Sequence, residues 1–292
     1  GGGLSGSSTA LNLSRKGYSV LVIEKEITQN INSCAGGMAS SMKKFLPLEV
    51  DKAVESKIRS VEFRWKASDN VVADLNGESP FWIVKREKLD QLLLNEALQY
   101  GTEILRPATV ERIIKKQDKW IIYCSNKNIY KSEFLVIADG SQSKWAGHFS
   151  LGPKLPKFAN TIALRIKGLG NIPKDAVRFE FGFIKYGFAW AFPLKENINI
   201  GIGTFINNSL LENEEINNKI IRSFGFEDSS FKTIKQRLRI WNGFHKINGD
   251  KVLAVGDAAS LCDPFLAEGI SPSLISSFHA AESIDQYLSG KV

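Results

Sequence analysis

The sequence predicts an α/β protein: a Rossmann-like dinucleotide-binding domain interrupted by an inserted, mainly antiparallel β-sheet domain. Three observations carry that prediction. The chain opens on Gly1-Gly2-Gly3-Leu4-Ser5-Gly6, which fits G-x-G-x-x-G at Gly1, Gly3 and Gly6. Near the other end an apolar run, Val252 to Val255, leads into Gly256-Asp257-Ala258-Ala259-Ser260, then Pro264, Gly269-Ile270 and a long helical pattern to Leu288. Between these stretches, residues 151–246 alternate as short strands around one helical pattern.

The fingerprint opens a helix from about Leu4 to Lys16, with Leu4, Leu11 and Leu13 among small residues, as a helix flush against a sheet requires. Gly1 suits a tight turn, Gly3 lets a pyrophosphate approach, and Gly6 lets the helix pack closely. Gly17-Tyr18 closes the helix, and Ser19 to Ile23 is the next strand. Glu24 at its end is an acid about 20 residues beyond the glycines, placed to accept hydrogen bonds from ribose hydroxyls. An acid here argues against a 2′-phosphate. The strand that should precede the glycines is missing, so the chain is expected to be a piece of a longer one at this end, and it stops directly after its last helix at the other.

A polar loop is expected from Thr28 to Gly37, then a short helix from Met38 to Phe45. Strand-like runs follow at Ile58 to Lys66, Val71 to Leu75 and Phe81 to Val84. Arg86 opens a helix with Leu89, Leu92, Leu93, Ala97 and Leu98 at helical spacing, and at that helix start it is a candidate phosphate contact or a surface arginine. Glu103 to Leu105, Ala108 to Ile114, Trp120 to Cys124 and Phe134 to Ala138 read as strands, the last ending in Asp139-Gly140. In the middle, Thr161 to Ile166, Val177 to Phe181, Phe188 to Phe192, Ile198 to Phe205 and Gln236 to Trp241 read as a sheet, with a helix from Leu210 to Phe224. The expected domains are 1–150 with 247–292, and 151–246. At the second motif, Asp257 leaving a strand can accept from a sugar hydroxyl, and Gly269 lets backbone pass close to a flat ring. The N–H groups of the following helix suit negative charge.

Bulk composition excludes several classes. No run of about 18 apolar residues exists, so no membrane-crossing helix is expected. Three cysteines, Cys34, Cys124 and Cys262, form no disulfide framework and suit a reducing cytosol. The three histidines are scattered, so no metal site is expected. The net charge of +7 comes without a long basic run interleaved with aromatics, which argues against nucleic acid.

Further stretches narrow the family. Phe188-Ala189-Trp190-Ala191-Phe192-Pro193, with the glycine-bearing run Asn197 to Gly203 behind it, resembles the Tyr-x-Trp-x-Phe-Pro motif of geranylgeranyl reductases. Ser33-Cys34-Ala35-Gly36-Gly37 resembles their Cys-Gly-Gly segment. Pro264-Phe265-Leu266-Ala267-Glu268-Gly269-Ile270 is similar to their Pro-Phe-x-x-Glu-Gly-Ile run. With the two nucleotide motifs, the resemblance to this family of FAD-dependent flavoproteins, which share the aromatic hydroxylase-type fold, covers nearly the whole chain. It departs at Phe188, where the family has tyrosine, at Ala35, which interrupts the cysteine–glycine pair, and at Pro272, tolerable only in a first helical turn.

The resemblance implies an FAD-dependent oxidoreductase that reduces isolated C=C bonds of a geranylgeranyl or other polyprenyl group, fed by NADPH. No second nucleotide fingerprint is present, so a nicotinamide would bind only transiently. It implies FAD contacts at Gly1, Gly3, Leu4, Ser5, Gly6, Glu24, Lys25, Arg86, Val110, Asp139, Gly256, Asp257, Gly269 and Ile270. It puts Cys34 beside the reacting carbons and Phe188 and Trp190 along an apolar tunnel above the flavin. By themselves, alternate aromatic residues also suit a plain core, and a lone cysteine a small buried hydrophobe. The expected partner is an isoprenoid or prenyl lipid, with a cytoplasmic protein peripheral to a membrane. The alternatives are an FAD- and NAD(P)H-dependent monooxygenase of the aromatic-hydroxylase type, lycopene cyclase-like chemistry, and a non-catalytic FAD-binding remnant. The Trp-x-Phe-Pro pattern also loosely resembles the Trp-x-Trp-x-Ile-Pro motif of flavin halogenases, without its first tryptophan.

Overall fold

The computed structural model describes residues 1–27, 34–77, 80–206, 211, 213–227 and 233–291. Ser33 and Leu210, at the edges of two expected segments, lie outside the described residues, as do residues 28–32 of the expected loop.

The chain begins with helix α1, Leu4–Ser14, whose left-handed Gly17 turns it into strand β1, Leu21–Ile23. Then come β2, Gly37–Ala39, two 3₁₀ helices, Ser40–Phe45 and Leu48–Lys52, β3, Val54–Ile58, β4, Ser60–Trp65, β5, Asp69–Asp74, and β6, Phe81–Val84. Helix α2, Arg86–Gln99, leads to β7, Glu103–Leu105, then β8, Val110–Lys116, β9, Lys119–Cys124, β10, Ile129–Ser132, and β11, Leu135–Ile137. After the short α3, Trp145–His148, the central strands are β12, Lys157–Lys167, β13, Ala176–Phe181, β14, Gly187–Pro193, and β15, Asn197–Thr204. Helix α4, Glu214–Ser223, strand β16, Ile234–Ile240, strands β17, Asn248–Gly249, and β18, Val252–Ala254, and helix α5, Ile270–Leu288, complete the chain.

The nucleotide-binding layer holds two parallel pairs, β1 with β7 and β11 with β18. Helices α2 and α5 pack against α1, whose small residues allow the approach: Ser7, Ser8, Ala10 and, from α5, Ser277 are buried. Pro272 is the third residue of α5, where its missing N–H has no intrahelical role.

The large sheet has seven strands in the order β16-β12-β15-β14-β13-β4-β5, antiparallel except where β13 meets β4. Its two faces differ. Ile198, Ile200 and Ile202 of β15 pack on the back with Ile220 and Ile221 of α4 and Phe224 just after it. Phe188, Trp190 and Phe192 of β14 project to the front with Phe179 of β13. Two of the seven strands, β4 and β5, come from residues 60–74, well ahead of the 151–246 segment from which the sheet was expected.

Two expectations need correction. Residues 38–45 do not form one helix: Met38 is the centre of β2, paired with Trp82 of β6, and only Ser40–Phe45 winds, as 3₁₀. Pairing with a ready strand outweighs local helix propensity here. The run Ile58 to Lys66 is not one strand either. It breaks at Arg59, whose N–H donates to Asp175 O and whose carbonyl accepts from Leu75 N, so β3 and β4 enter different sheets.

Candidate functional site

One cleft of about 470 Å³ is lined both by the N-terminal glycine turn and by the aromatic face of the large sheet. Its polar end is built first from the glycines. At Gly3, the cap of α1, a Cβ would meet nothing within 4 Å, so the backbone faces open space. A Cβ on Gly6 would fall 1.8 Å from Gly1 O, and one on Gly1 2.8 Å from Ala138 O. Gly6 and Gly1 are thus needed for packing, Gly3 for access. The Glu24 carboxylate accepts from Gly2 N at 2.5 Å and from Glu26 N at 2.9 Å, so the expected ribose acid also fixes the glycine turn.

The C-terminal motif lands on this turn. Gly256 is left-handed, and a Cβ there would lie 2.1 Å from Ser5 Oγ. Ser277 of α5 donates to Ser5 O at 2.9 Å. Asp257 lines the cleft, with its Oδ1 only 3.3 Å from where a Gly269 side chain would begin. Burial pushes the Asp257 carboxyl up to about 6, against the pull of Arg86 and Arg239, and Glu268 lifts it further. Burial also raises Glu268, although it accepts from Ser271 N at the start of α5. Burial pushes the Cys262 thiol far above the usual range.

Arg86 reaches the cleft but is engaged: its Nε and Nη2 donate to the two oxygens of Asp90, both at 3.0 Å. Its burial would lower its pKa, but Asp90 and then Cys34 outweigh that and raise it. Cys34 therefore lies beside a guanidinium, and its Sγ accepts from Gly36 N at 3.4 Å. The glycines after it are dictated by packing. A Cβ on left-handed Gly36 would lie 2.0 Å from Val84 O, and one on Gly37 would meet Phe81 and Phe192 at 2.6 and 2.9 Å.

The apolar end is a set of rings. Phe179 stands 5.7 Å from Phe188 and 5.4 Å from Phe192, and Phe81 closes on Phe192 edge-on at 6.2 Å. Trp190 follows Phe188 at 6.1 Å, and its indole N–H donates to Asn199 Oδ1 at 3.0 Å. The glycines of β15 make room: Gly201 pairs with Trp190, and a Cβ there would fall 1.8 Å from the indole.

Of the sequence-derived residues, Gly3, Leu4, Ser5, Lys25, Cys34, Arg86, Asp139, Phe188, Trp190, Asp257, Gly269 and Ile270 line this cleft. Gly1, Gly6, Glu24 and Gly256 sit behind the lining as supports. Val110 is apart from it, opposite Cys124 in the outer hairpin of β8 and β9. The sequence reading passed over Phe81, Phe179, Asp90 and Glu268 as site residues. Phe179 was legible in the alternation of Val177 to Phe181, and Glu268 lay inside a motif already singled out.

An open glycine turn at a helix N-terminus, facing an aspartate across a cleft, fits a dinucleotide pyrophosphate and its sugars. A family model described as FAD binding domain matches residues 1–163, more than half of the chain. The chain belongs to the FAD-binding domain family. Among curated proteins, digeranylgeranylglycerophospholipid reductase 2 of Methanothermobacter thermautotrophicus is 26% identical over 284 residues, covering 92% of this chain and 72% of that protein. Tryptophan 2-halogenase of Chondromyces crocatus is 25% identical over 322 residues, covering 100% of this chain and 61% of that protein. The fold is shared with a geranylgeranyl bacteriochlorophyll reductase-like protein from Thermoplasma acidophilum, with TM-score 0.84, 20% identity, and coverage of 100% of this chain and 78% of that one. The chain is an FAD-dependent oxidoreductase in this broad sense. The glycine turn, Asp257 and the α5 N-terminus are the residues that would hold FAD, and no helix among the described residues is long and apolar enough to cross a membrane.

Proposed function

We propose that this chain reduces isolated carbon–carbon double bonds of a geranylgeranyl or longer prenyl group, with NADPH as the source of electrons. The observation behind the reading is the row of rings from Phe188 through Trp190 to Phe192, joined by Phe179 and Phe81, in the same cleft as Gly3 and Asp257. Bound FAD, once reduced, supplies hydride chemistry. The chain's own residues supply the rest. The rings present no free polar group to a chain of isoprene units, since the one indole N–H is held by Asn199. They exclude water and offer a continuous apolar wall to a long flexible substrate. Cys34, at the junction of the polar and apolar ends, packs against the substrate and biases which double bond is presented. Similarity to a digeranylgeranylglycerophospholipid reductase supports the reading. A prenyl-lipid substrate would place the chain at a membrane surface during turnover.

The rival reading, oxygen-dependent chemistry on a small aromatic ring, has a relative named tryptophan 2-halogenase behind it. The two separate cleanly. Reduced FAD and geranylgeranyl lipids without oxygen should yield saturated product, seen by mass spectrometry as one added hydrogen molecule per double bond. Turnover of a phenol or indole only in oxygen, with prenyl lipids unchanged, would overturn the proposal.

A further inference from the structure

Arg239 of β16 is a buried cation that has no salt-bridge partner among the described residues. Its neighbours Gln236 and Leu238 line the cleft, while Arg239 turns to the other face of the strand and is only 7% exposed. Its Nη2 donates to Ser143 O at 2.9 Å and its Nη1 to Ala258 O at 3.2 Å, while Nε has no partner among the described residues. Those carbonyls belong to two separate turns, one following Asp139 and the other containing Asp257, and both acids line the cleft. Apart from these carbonyls it has the Phe158 ring, whose centroid lies 5.8 Å from the guanidinium carbon, and burying a guanidinium on such partners is costly. A neutral amide could tie down the same carbonyls, so the clamp does not account for the charge. The carboxylates that feel it at longer range are Asp139 and Asp257.

We propose that Arg239 is a positioning residue of the FAD cleft: it clamps the two acid-bearing turns together and sets its positive charge behind Asp257, the acceptor for FAD hydroxyls. The surroundings of Asp257 agree. Burial lifts its carboxyl to about 6, Arg86 from α2 and Arg239 from β16 pull it down, and Glu268 from the loop before α5 pushes it up. Cys262, which faces Asp257 and Glu268, is held as the neutral thiol by burial. Beyond the two acids, Arg239 itself feels Arg237, the neighbouring cation on its own strand. Without Arg239 the balance tips toward a protonated Asp257, which can no longer accept from two hydroxyls.

The test is the pH dependence of FAD affinity, read by flavin fluorescence on apoprotein, for the wild type, Arg239→Gln, Arg239→Lys and Asp257→Asn. Thermal melts check folding. Wild-type affinity should fall as pH drops through about 6. In Arg239→Gln that inflection should move upward by about one pH unit, the scale of one neighbouring charge. Arg239→Lys keeps the charge and should keep the inflection, with a weaker affinity at every pH. Asp257→Asn should abolish the inflection. Equal, pH-independent losses in the two Arg239 variants would reduce the residue to a neutral clamp and overturn the proposal. An inflection retained in Asp257→Asn would overturn it too, even if Arg239→Gln does not fold.

Discussion

At the scale of single residues, the glycines of the N-terminal turn divide into two kinds. A methyl on Gly3 meets nothing in the protein, whereas one on Gly6 overlaps Gly1 O. Gly3→Ala should therefore leave the melting temperature unchanged while lowering FAD affinity by about tenfold or more, because the methyl stands where the pyrophosphate must approach. Gly6→Ala should destabilise the apoprotein by about 1–3 kcal/mol through overpacking. Equal effects of the two changes on stability would show that the turn does not have this division of labour. A second prediction concerns Cys34. Cys34→Ser should leave FAD bound and change product pattern or rate, while Cys124→Ser, in the outer hairpin away from the cleft, should change neither. Wild-type products from both variants would make Cys34 a loop residue only. The meeting of the glycine turn and Asp257 at one cleft was legible in the sequence because each stands in a fixed order relative to a strand and a helix. Arg239 was not, because its partners are main-chain carbonyls at Ser143 and Ala258, which leave no mark on side-chain identity.

At the scale of elements, the join between α1 and α5 governs whether the two halves of the cofactor site meet. Ser277 is fully buried there and donates to Ser5 O, next to the contact between Ser5 and Gly256. Ser277→Leu should cost about 1–3 kcal/mol by overpacking and weaken FAD binding together with stability. Ser277→Ala should cost about 1 kcal/mol, one hydrogen bond's net worth, and leave affinity nearly intact. Urea unfolding beside FAD titration reads both; a stable Ser277→Leu with normal affinity would disprove the coupling. Most strands of the large sheet were legible to within about two residues, since alternation over buried pairs is a strong signal, but β12 begins four residues before the expected Thr161. The segment 38–45 was not, because its first residues are decided by β6, a partner far along the chain. Nor was the break at Arg59, where alternation continues and only main-chain hydrogen bonds to Asp175 and Leu75 redirect the strand.

At the scale of the whole molecule, the back of the large sheet carries a buried ionic cluster that ties the early strands to the central ones. Arg178 of β13, 3% exposed, donates to Glu62 of β4 at 2.5 Å and to Asn171 at 2.7 Å. Burial raises Glu62, but its hydrogen bonds to Arg178 and Arg64 prevail and hold it below the usual carboxylate range. Glu180 beside it is raised, chiefly by burial, with one oxygen accepting from Ala67 N and the other without a hydrogen-bond partner among the described residues. The two acids therefore respond to pH in opposite senses. Glu62 contributes stability above its unfolded value near 4.3, lost as pH falls through its lower folded value. Glu180 contributes below that unfolded value, and its contribution is lost as pH rises through the higher folded one. Glu180→Gln should thus gain stability over wild type at pH 7, with the gain shrinking toward pH 4, and Glu62→Gln should lose stability at pH 7, with the loss shrinking in acid. Parallel pH profiles for either variant and wild type would refute the assignment. Arg178→Met should cost about 1–3 kcal/mol, because Glu62 loses one of its two cationic partners and keeps only Arg64. The parallel pairing of β13 with β4 reaches further than stability. It means the aromatic half of the cleft is not a cassette. Recombining residues 151–246 with a relative's nucleotide-binding half would transplant five strands and leave the sixth and seventh, with their half of the ionic cluster, behind. A chimera aimed at a new substrate must therefore inherit residues 60–74 along with the later segment, and crossover points between those two stretches should give insoluble progeny.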